Sequence, residues 1–142
     1  MSFLFKAALT ALIVSVTALN SASAEEGKYR LGLQGSTFAS GISGVMEYSS
    51  DWAVQGIISP QLRSFAFRGL NRFHQETNWN AYYTGSIGLW NDGFGLGLGV
   101  GAEYDWRGLS PSLPPLGWNA ELGLSILPGI ALTIGLGVHW KF

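Results

Sequence analysis

The sequence predicts an all-β fold, an antiparallel up-and-down transmembrane β-barrel of eight strands. Three observations support this prediction: an apolar leader, a long region in which apolar residues alternate with small or polar ones, and aromatic residues that recur at one end of the predicted strands. The chain has 142 residues, of which 47% are hydrophobic and only 12% are charged, so it has room for one domain after the leader. It contains 20 glycines and no cysteine, which excludes a disulfide scaffold, a thiolate metal site and a cysteine nucleophile.

Residues 1–24 have the pattern of a cleaved secretory signal peptide. Lys6 precedes an apolar run at residues 7–19, and the segment ends with Ser21-Ala22-Ser23-Ala24, which fits a small-x-small cleavage site. A membrane anchor is the alternative. It is disfavoured because the apolar run at residues 7–19 is shorter than the roughly 20 apolar residues that a membrane-spanning helix needs. We therefore predict that residues 25–142 form the exported domain.

Four strands are predicted in the first half of this domain, where the alternation is less regular. Tyr29 and Leu31 flank Arg30, for example, and this pattern puts apolar and polar side chains on opposite faces of a strand. Segments rich in Ser, Gly, Asp and Pro separate the strands and mark turns. The predicted strands cover residues 29–34, 42–48, 52–59 and 65–73.

Four longer strands follow, with strict alternation. From Leu132 to Phe142, one parity carries Leu, Ile, Leu, Val, Trp and Phe, and the other carries Thr, Gly, Gly, His and Lys. A helix would distribute these residues around its circumference instead. Eight strands account for the whole exported domain, so we predict neither a helix nor a second domain. The four longer strands cover residues 79–90, 94–106, 116–126 and 132–142.

The composition of the two faces predicts which one meets the membrane. In a soluble β-protein, which is the alternative, the non-apolar face would meet water and carry many charges. Here that face is mostly Gly, Ser, Thr and Asn. In a transmembrane barrel, the apolar face contacts lipid and small polar residues fill a narrow lumen. A closed barrel is also the only sheet that leaves no unpaired backbone in lipid.

Aromatic residues are predicted to form a girdle at one end of the barrel. If both chain termini face the periplasm, every strand carries an outward aromatic residue at its periplasmic end, and Tyr and Trp favour the membrane interface. The opposite rim has fewer candidates, chiefly Phe38, Phe65 and Phe94. The predicted girdle comprises Tyr29, Tyr48, Trp52, Phe73, Trp79, Tyr104, Trp106, Trp118 and Trp140.

These features resemble the small eight-stranded outer-membrane β-barrel proteins of Gram-negative bacteria. The most specific motif is the end of the chain, where Val138, Trp140 and the terminal Phe142 resemble the signal by which the barrel-assembly machinery recognises its substrates. The resemblance implies location in the bacterial outer membrane, contact with membrane lipid and lipopolysaccharide, and the assembly machinery as a partner during biogenesis. The chain differs from the family in one respect, because its longest predicted connection, residues 107–115, falls on the periplasmic side.

Eight charged residues are predicted to point into the lumen. Basic and acidic residues are equal in number, which predicts ion pairs, because each charge offsets the cost of removing its partner from water. A polarised pore or a small-solute cavity, lined by the inward glycines of three strands, is the alternative. The predicted network comprises Arg30, Glu47, Arg68, Arg72, Glu103, Asp105, Glu121 and Lys141.

Catalysis is not predicted. Neither His74 nor His139 belongs to the His-x-Ser element that the resemblance implies for lipid A deacylases. Ser36, Ser40 and Ser43 are expected near the outer rim, without a histidine base. Two histidines without suitable spacing do not form a metal site, so neither a metal nor another cofactor is predicted.

The sequence therefore predicts an integral outer-membrane protein with a structural or interaction role in the cell envelope. A narrow channel or small-solute carrier is the alternative, and a lipid-modifying enzyme is less favoured. The Pro-rich segment 109–115 is a candidate periplasmic docking loop. The formal net charge of −1 and the scattered basic residues predict no nucleic-acid partner.

Overall fold

The computed structural model describes residues 28–90 and 93–142, which form a closed barrel of antiparallel strands. Each strand pairs with its neighbour along the chain and the last pairs with the first, so the predicted eight-stranded up-and-down barrel is confirmed. The predicted signal peptide, residues 1–24, lies outside the described residues. The strands are β1 (Tyr29–Ser36), β2 (Gly41–Glu47), β3 (Trp52–Ile58), β4 (Ser64–Gln75), β5 (Trp79–Trp90), β6 (Gly93–Asp105), β7 (Leu116–Leu127) and β8 (Ala131–Lys141).

Closure of the barrel depends on the pairing of β1 with β8. Arg30 lies opposite Lys141 and Ser36 lies opposite Gly135, with a continuous ladder between them. The pairing continues to the last residue, where the backbone N–H of Phe142 donates to the carbonyl of Tyr29 at 2.9 Å. The ladder satisfies backbone groups that would otherwise form an open sheet edge.

The two ends of the barrel have different connections. Because successive strands run in opposite directions, the start of β1 and the end of β8 lie at the same end, which we name the terminal end; the opposite end is the distal end. The β6–β7 connection, residues 106–115, is the longest connection between strands and lies at the terminal end. At the distal end, the connections at residues 37–40, 59–63 and 128–130 are short.

The alternation in the sequence becomes an apolar outer face and a largely polar inner face. On β8, Leu136 and Val138 are exposed. His139, which lies between the outward residues Val138 and Trp140, is buried. The same pattern places Leu98 on the outer face of β6, where its side chain is 60% exposed. The large aliphatic side chains therefore point mainly away from the lumen.

The inner face also contains two small apolar clusters. The first, nearer the terminal end, comprises Val45, Ala53, Leu70 and Tyr82. The second, at the distal end, comprises Ala39, Ile57 and Ala66, with Phe38 packed against it. The expectation that Phe38 belongs to an outward aromatic rim is wrong, because its ring turns over the distal end of the lumen and is removed from water by packing on this cluster.

Besides a register shift between Leu96 and Gly97 in the β6–β7 ladder, two strand ends depart from regular strand structure. A β-bulge beside Phe73 interrupts the β4–β5 ladder, and the ring stays on the outer face, 52% exposed. The chain then turns at the end of β6, where Trp106 begins a short 3-10 turn instead of extending the strand as predicted. The Asp105 carboxylate accepts the backbone N–H of Arg107 at 2.9 Å, which stabilises this turn. Within the described ranges, no helix is long and apolar enough to span a membrane.

Candidate functional site in the barrel lumen

Six of the eight predicted lumen charges form one chain of ion pairs at the terminal end, with Arg30 at its centre. The Arg30 guanidinium contacts Glu47 of β2 at 2.6 Å and also contacts Glu103 of β6. Arg72 of β4 pairs with the same Glu47 at 2.6 Å. The side chains of Arg30 and Glu103 are only 4% and 8% exposed, so each buried charge has the opposite charge that its removal from water requires.

The chain of ion pairs continues from Glu103 to the last strand. Lys141 Nζ lies 3.3 Å from Glu103 Oε1 and 3.1 Å from Asp105 Oδ2. Arg107 Nη2 lies 3.4 Å from the same Asp105 oxygen. Strand alternation does not predict Arg107 as a member of this chain of ion pairs, because the residue follows the end of β6.

Arg68 and Glu121 form a separate ion pair further toward the distal end. Arg68 Nη2 of β4 donates to Glu121 Oε2 of β7 at 2.6 Å, so the pair joins two walls of the barrel across the lumen. The hydroxyl of Tyr82 donates to the other carboxylate oxygen at 2.7 Å. The guanidinium also donates to Gln55 Oε1 at 2.9 Å, Ser86 Oγ at 3.1 Å and Thr84 Oγ1 at 3.2 Å.

Ser43 and His139 meet in the lumen, although the sequence pattern does not predict this contact. Gly32 of β1 lies opposite Ser43 of β2 on one side and opposite His139 of β8 on the other. Ser43 Oγ and His139 Nε2 approach to 2.8 Å across β1, and a Cβ at Gly32 would overlap the β8 backbone at Val138. The expectation that Ser43 has no histidine beside it is therefore wrong, and closure of β1 on β8 is the physical reason.

This serine–histidine pair lacks the access that a nucleophile and its base need. Ser43 is fully buried, and His139 is 4% exposed. Gln55 Nε2 donates to Ser43 Oγ at 2.7 Å, so the hydroxyl group is engaged by Gln55 as well as by His139 Nε2. A substrate carbonyl would have to reach Ser43 Oγ through packed side chains. We interpret the pair as part of the hydrogen-bonded lumen packing.

The inward glycines provide space for neighbouring side chains. A Cβ atom at Gly101 would lie 2.6 Å from Cζ of Tyr82, and one at Gly135 would lie 3.1 Å from Oε2 of Glu121. The outward Gly44 has no atom within 4 Å of the same position. Gly101 and Gly135 therefore accommodate neighbouring lumen side chains, and Gly135 also lines the small cavity beside Arg68.

Two cavities lie toward the distal end. The first lies beside Arg68 and Glu121 and has about 20 Å³ of space for the centre of a water molecule, which is room for about one water. The second opens beside Phe94 and Ile130 and has about 440 Å³ by the same measure. Phe38 lines both cavities and lies between the polar lumen and the distal opening.

The predicted girdle residues lie around the terminal end. Most of them are exposed, with exposed fractions from 36% for Trp106 to 81% for Tyr48. Tyr104 packs against Trp118 with ring centroids 6.3 Å apart. The exposed members are Tyr48, Trp52, Phe73, Trp79, Trp106, Trp118 and Trp140, and the half-buried members are Tyr29 and Tyr104.

The residues of the predicted assembly signal share the outer face at the end of the chain. Val138, Trp140 and Phe142 are 43%, 42% and 49% exposed, respectively. Trp140 lies opposite Leu31 of β1, so it is next to the strand pair that closes the barrel. All three side chains remain on the outside after closure.

No protein-family model, curated protein or solved structure matches the chain. The resemblance to outer-membrane barrels thus stays a prediction from the sequence. Across residues 28–90 and 93–142, no group of three or more His, Cys, Asp and Glu side chains is placed to hold a metal ion. The two faces of the barrel and its lumen are therefore the features that indicate a function.

Proposed function

We propose that this protein is an integral outer-membrane β-barrel with a structural or interaction role in the cell envelope. The observation that carries the proposal is the outer face, which exposes large apolar side chains on all eight strands of the closed barrel. Leu33 of β1, Leu98 of β6 and Leu136 of β8 are each at least 60% exposed. A soluble monomer rarely exposes contiguous apolar patches above a few hundred Å², whereas lipid favours such a face.

The lumen supports the same proposal, because it is occupied mainly by polar groups. A soluble β-protein of this size needs an apolar core, yet Arg30, Arg68 and Glu103 are buried among hydrogen-bonding partners. An apolar outside and an ion-paired inside suit a barrel surrounded by hydrocarbon. Membrane lipid, including lipopolysaccharide, is the partner that we propose for the outer face.

The terminal end supports an orientation and a route of assembly. We propose that its aromatic girdle lies at the periplasmic interface and that Val138, Trp140 and Phe142 engage the barrel-assembly machinery. The connection at residues 106–115 would then face the periplasm, with Leu109 73% exposed. Its end is held by a hydrogen bond from Lys141 N to Pro115 O at 2.8 Å, so the segment offers a fixed surface to another envelope component.

Membrane extraction and heat-modifiability test this proposal. We expect the full chain, expressed in a Gram-negative host, to fractionate with outer membranes and to require detergent for release. On a gel, the unboiled protein should migrate faster than the boiled protein, because a closed barrel resists unfolding by detergent. Recovery in the soluble periplasm without a migration shift would refute the proposal.

A matched pair of variants separates a lipid-facing surface from an exposed surface in water. Leu98→Arg should lower the free energy of unfolding in lipid vesicles by about 2–4 kcal/mol, because it places a charge near the middle of the proposed hydrocarbon layer. Leu109→Arg, in the 106–115 connection, should change it by less than about 0.5 kcal/mol. Both leucines are strongly exposed, so equal effects would contradict a lipid-facing wall.

The filled lumen supports the structural role over the channel. Ion pairs and hydrogen bonds occupy the cross-section at the terminal end, and the cavity beside Arg68 holds about one water. We expect planar-bilayer recordings of the purified protein to show no conductance above background, with a porin prepared identically as the positive control. Steady channel openings that change in Arg68→Ala and Arg72→Ala variants would instead establish the channel.

A further inference from the structure

The cavity of about 440 Å³ at the distal end is bounded mainly by apolar side chains. Its volume falls within the range of small-molecule sites. No charged residue lines it. Two of its three hydroxyl groups are already engaged, because Ser125 Oγ donates to the Leu127 carbonyl and Thr37 Oγ1 accepts the Ile134 N–H. The lining therefore favours an apolar, uncharged ligand. Its large apolar members are Phe38, Phe94, Leu127, Ile130 and Leu132.

The barrel wall is interrupted beside this cavity. In the described part of the chain, β7 pairs with β6 from Leu96 onward, so residues 93–95 of β6 pair only with β5. The tip of the β7–β8 hairpin also extends beyond its partner strand on the other side, because the β1–β8 ladder ends at Gly135. We name the gap between the start of β6 and the hairpin tip the distal notch.

Residues of both faces line the cavity, which therefore opens at the rim of the barrel beside the distal notch. Phe94 and Leu132 belong to the outer face, and they are 48% and 62% exposed. Thr133 and Ser125 belong to the inner face of the same hairpin. The apolar outer surface is thus continuous with the mouth of the lumen.

Phe38 forms the floor of this cavity. Its ring packs on the Ala39, Ile57 and Ala66 cluster and separates the cavity from the polar space beside Arg68. An apolar ligand that entered through the distal notch would therefore meet the Phe38 ring before it reached a charge. This arrangement accommodates hydrocarbon without removing Arg68 or Glu121 from its partners.

We propose that the distal notch binds a hydrocarbon chain of a membrane lipid, inserted from the bilayer into the mouth of the barrel. The inference rests on the proposed membrane location of the outer face. It adds a specific lipid site to that surface, at which a chain leaves the bulk hydrocarbon and contacts the Phe38 ring. Burial of methylene groups against the apolar lining drives the binding.

Photocrosslinking in vesicles tests the proposal. The full-length protein is inserted into phosphatidylethanolamine vesicles containing a phospholipid with a diazirine near the end of one acyl chain. After irradiation, mass spectrometry maps the adducts. We expect adducts on outward residues such as Leu98, and also on Thr133 and Phe38. Only a chain that enters the distal notch reaches the latter two residues in the folded barrel.

The outcomes distinguish this inference from the proposed function. Adducts restricted to outward residues would overturn the lipid site and leave the membrane barrel intact. Absence of adducts together with absence of a heat-induced migration shift would overturn both. Because the wild-type adduct map alone decides between these outcomes, the test does not depend on the folding of a variant.

A pair of tryptophan substitutions provides a matched control. Ala131 lines the cavity with the same parity as Thr133, so Ala131→Trp fills the distal notch. It should reduce adducts on Thr133 and Phe38 by about tenfold, which corresponds to the lost burial of about two methylene groups. Gly44→Trp adds the same ring on the outer face of β2, outside the cavity lining and where space is open, and should leave these adducts unchanged. Equal reductions in the two variants would overturn the proposal.

Discussion

Replacement of Arg68 with alanine is expected to lower the free energy of unfolding by about 3–5 kcal/mol. The substitution leaves the Glu121 carboxylate, whose side chain is 6% exposed, without its cation. It also removes the donors that satisfy Gln55, Ser86 and Thr84. Urea unfolding of the protein in detergent or vesicles, followed through loss of the fast-migrating form on a gel, measures the change.

Two further variants identify the cause of the Arg68 effect. Arg63→Ala removes an exposed arginine from the neighbouring connection and should change the free energy of unfolding by less than about 0.5 kcal/mol. The double variant Arg68→Met, Glu121→Gln removes both charges and should recover much of the loss, because no unpaired buried charge remains. A double variant no more stable than Arg68→Ala would contradict an electrostatic cause.

Replacement of Gly101 with valine is expected to lower the free energy of unfolding by about 3 kcal/mol or more. The added Cβ would overlap the ring of Tyr82, which is 1% exposed and has little room to move. A displaced ring would also lose its hydrogen bonds with Glu121 at 2.7 Å and Asn119 at 2.9 Å. The same urea titration measures the effect.

Gly85→Val is the matched control for Gly101→Val. Gly85 lies on the outer face of the adjacent strand, where the nearest atom to an added Cβ is a Leu98 methyl group at 3.8 Å. Valine favours strands, so this variant should be neutral or slightly more stable. Similar losses in both variants would mean that glycine is needed for backbone geometry and not for lumen space.

The barrel could be predicted from the sequence because two-residue alternation fixes which side of a strand each residue occupies. From Leu132 to Phe142 the alternation is strict, and β8 follows it throughout. Phe38 and Trp106 were misplaced because both lie just outside a strand, where turn geometry decides the direction of the side chain. The sequence does not predict the apolar clusters inside the lumen, because single apolar residues at inward positions do not by themselves indicate a cluster.

The equal numbers of inward basic and acidic residues predict ion pairs. Which residues pair with each other depends on the register of the strands in the closed barrel. Ser43 and His139 are 96 residues apart and meet only because β8 returns to β1. Nothing in the sequence around Gly32 indicates that this residue lies between the two. Parity identifies which side chains enter a lumen, and register determines which of them touch.

The ion-pair chain at the terminal end joins strands that are far apart in the sequence. Arg30 is on the first strand, Glu103 is on the sixth and Lys141 is on the last, so the Glu103 carboxylate lies between cations of the first and last strands. Without β8, Glu103 and Asp105 would lack the Lys141 ammonium group, which lies 3.3 Å and 3.1 Å from their carboxylate oxygens. The last strand therefore completes the charge balance of the terminal end as well as the hydrogen-bonded ladder of the barrel.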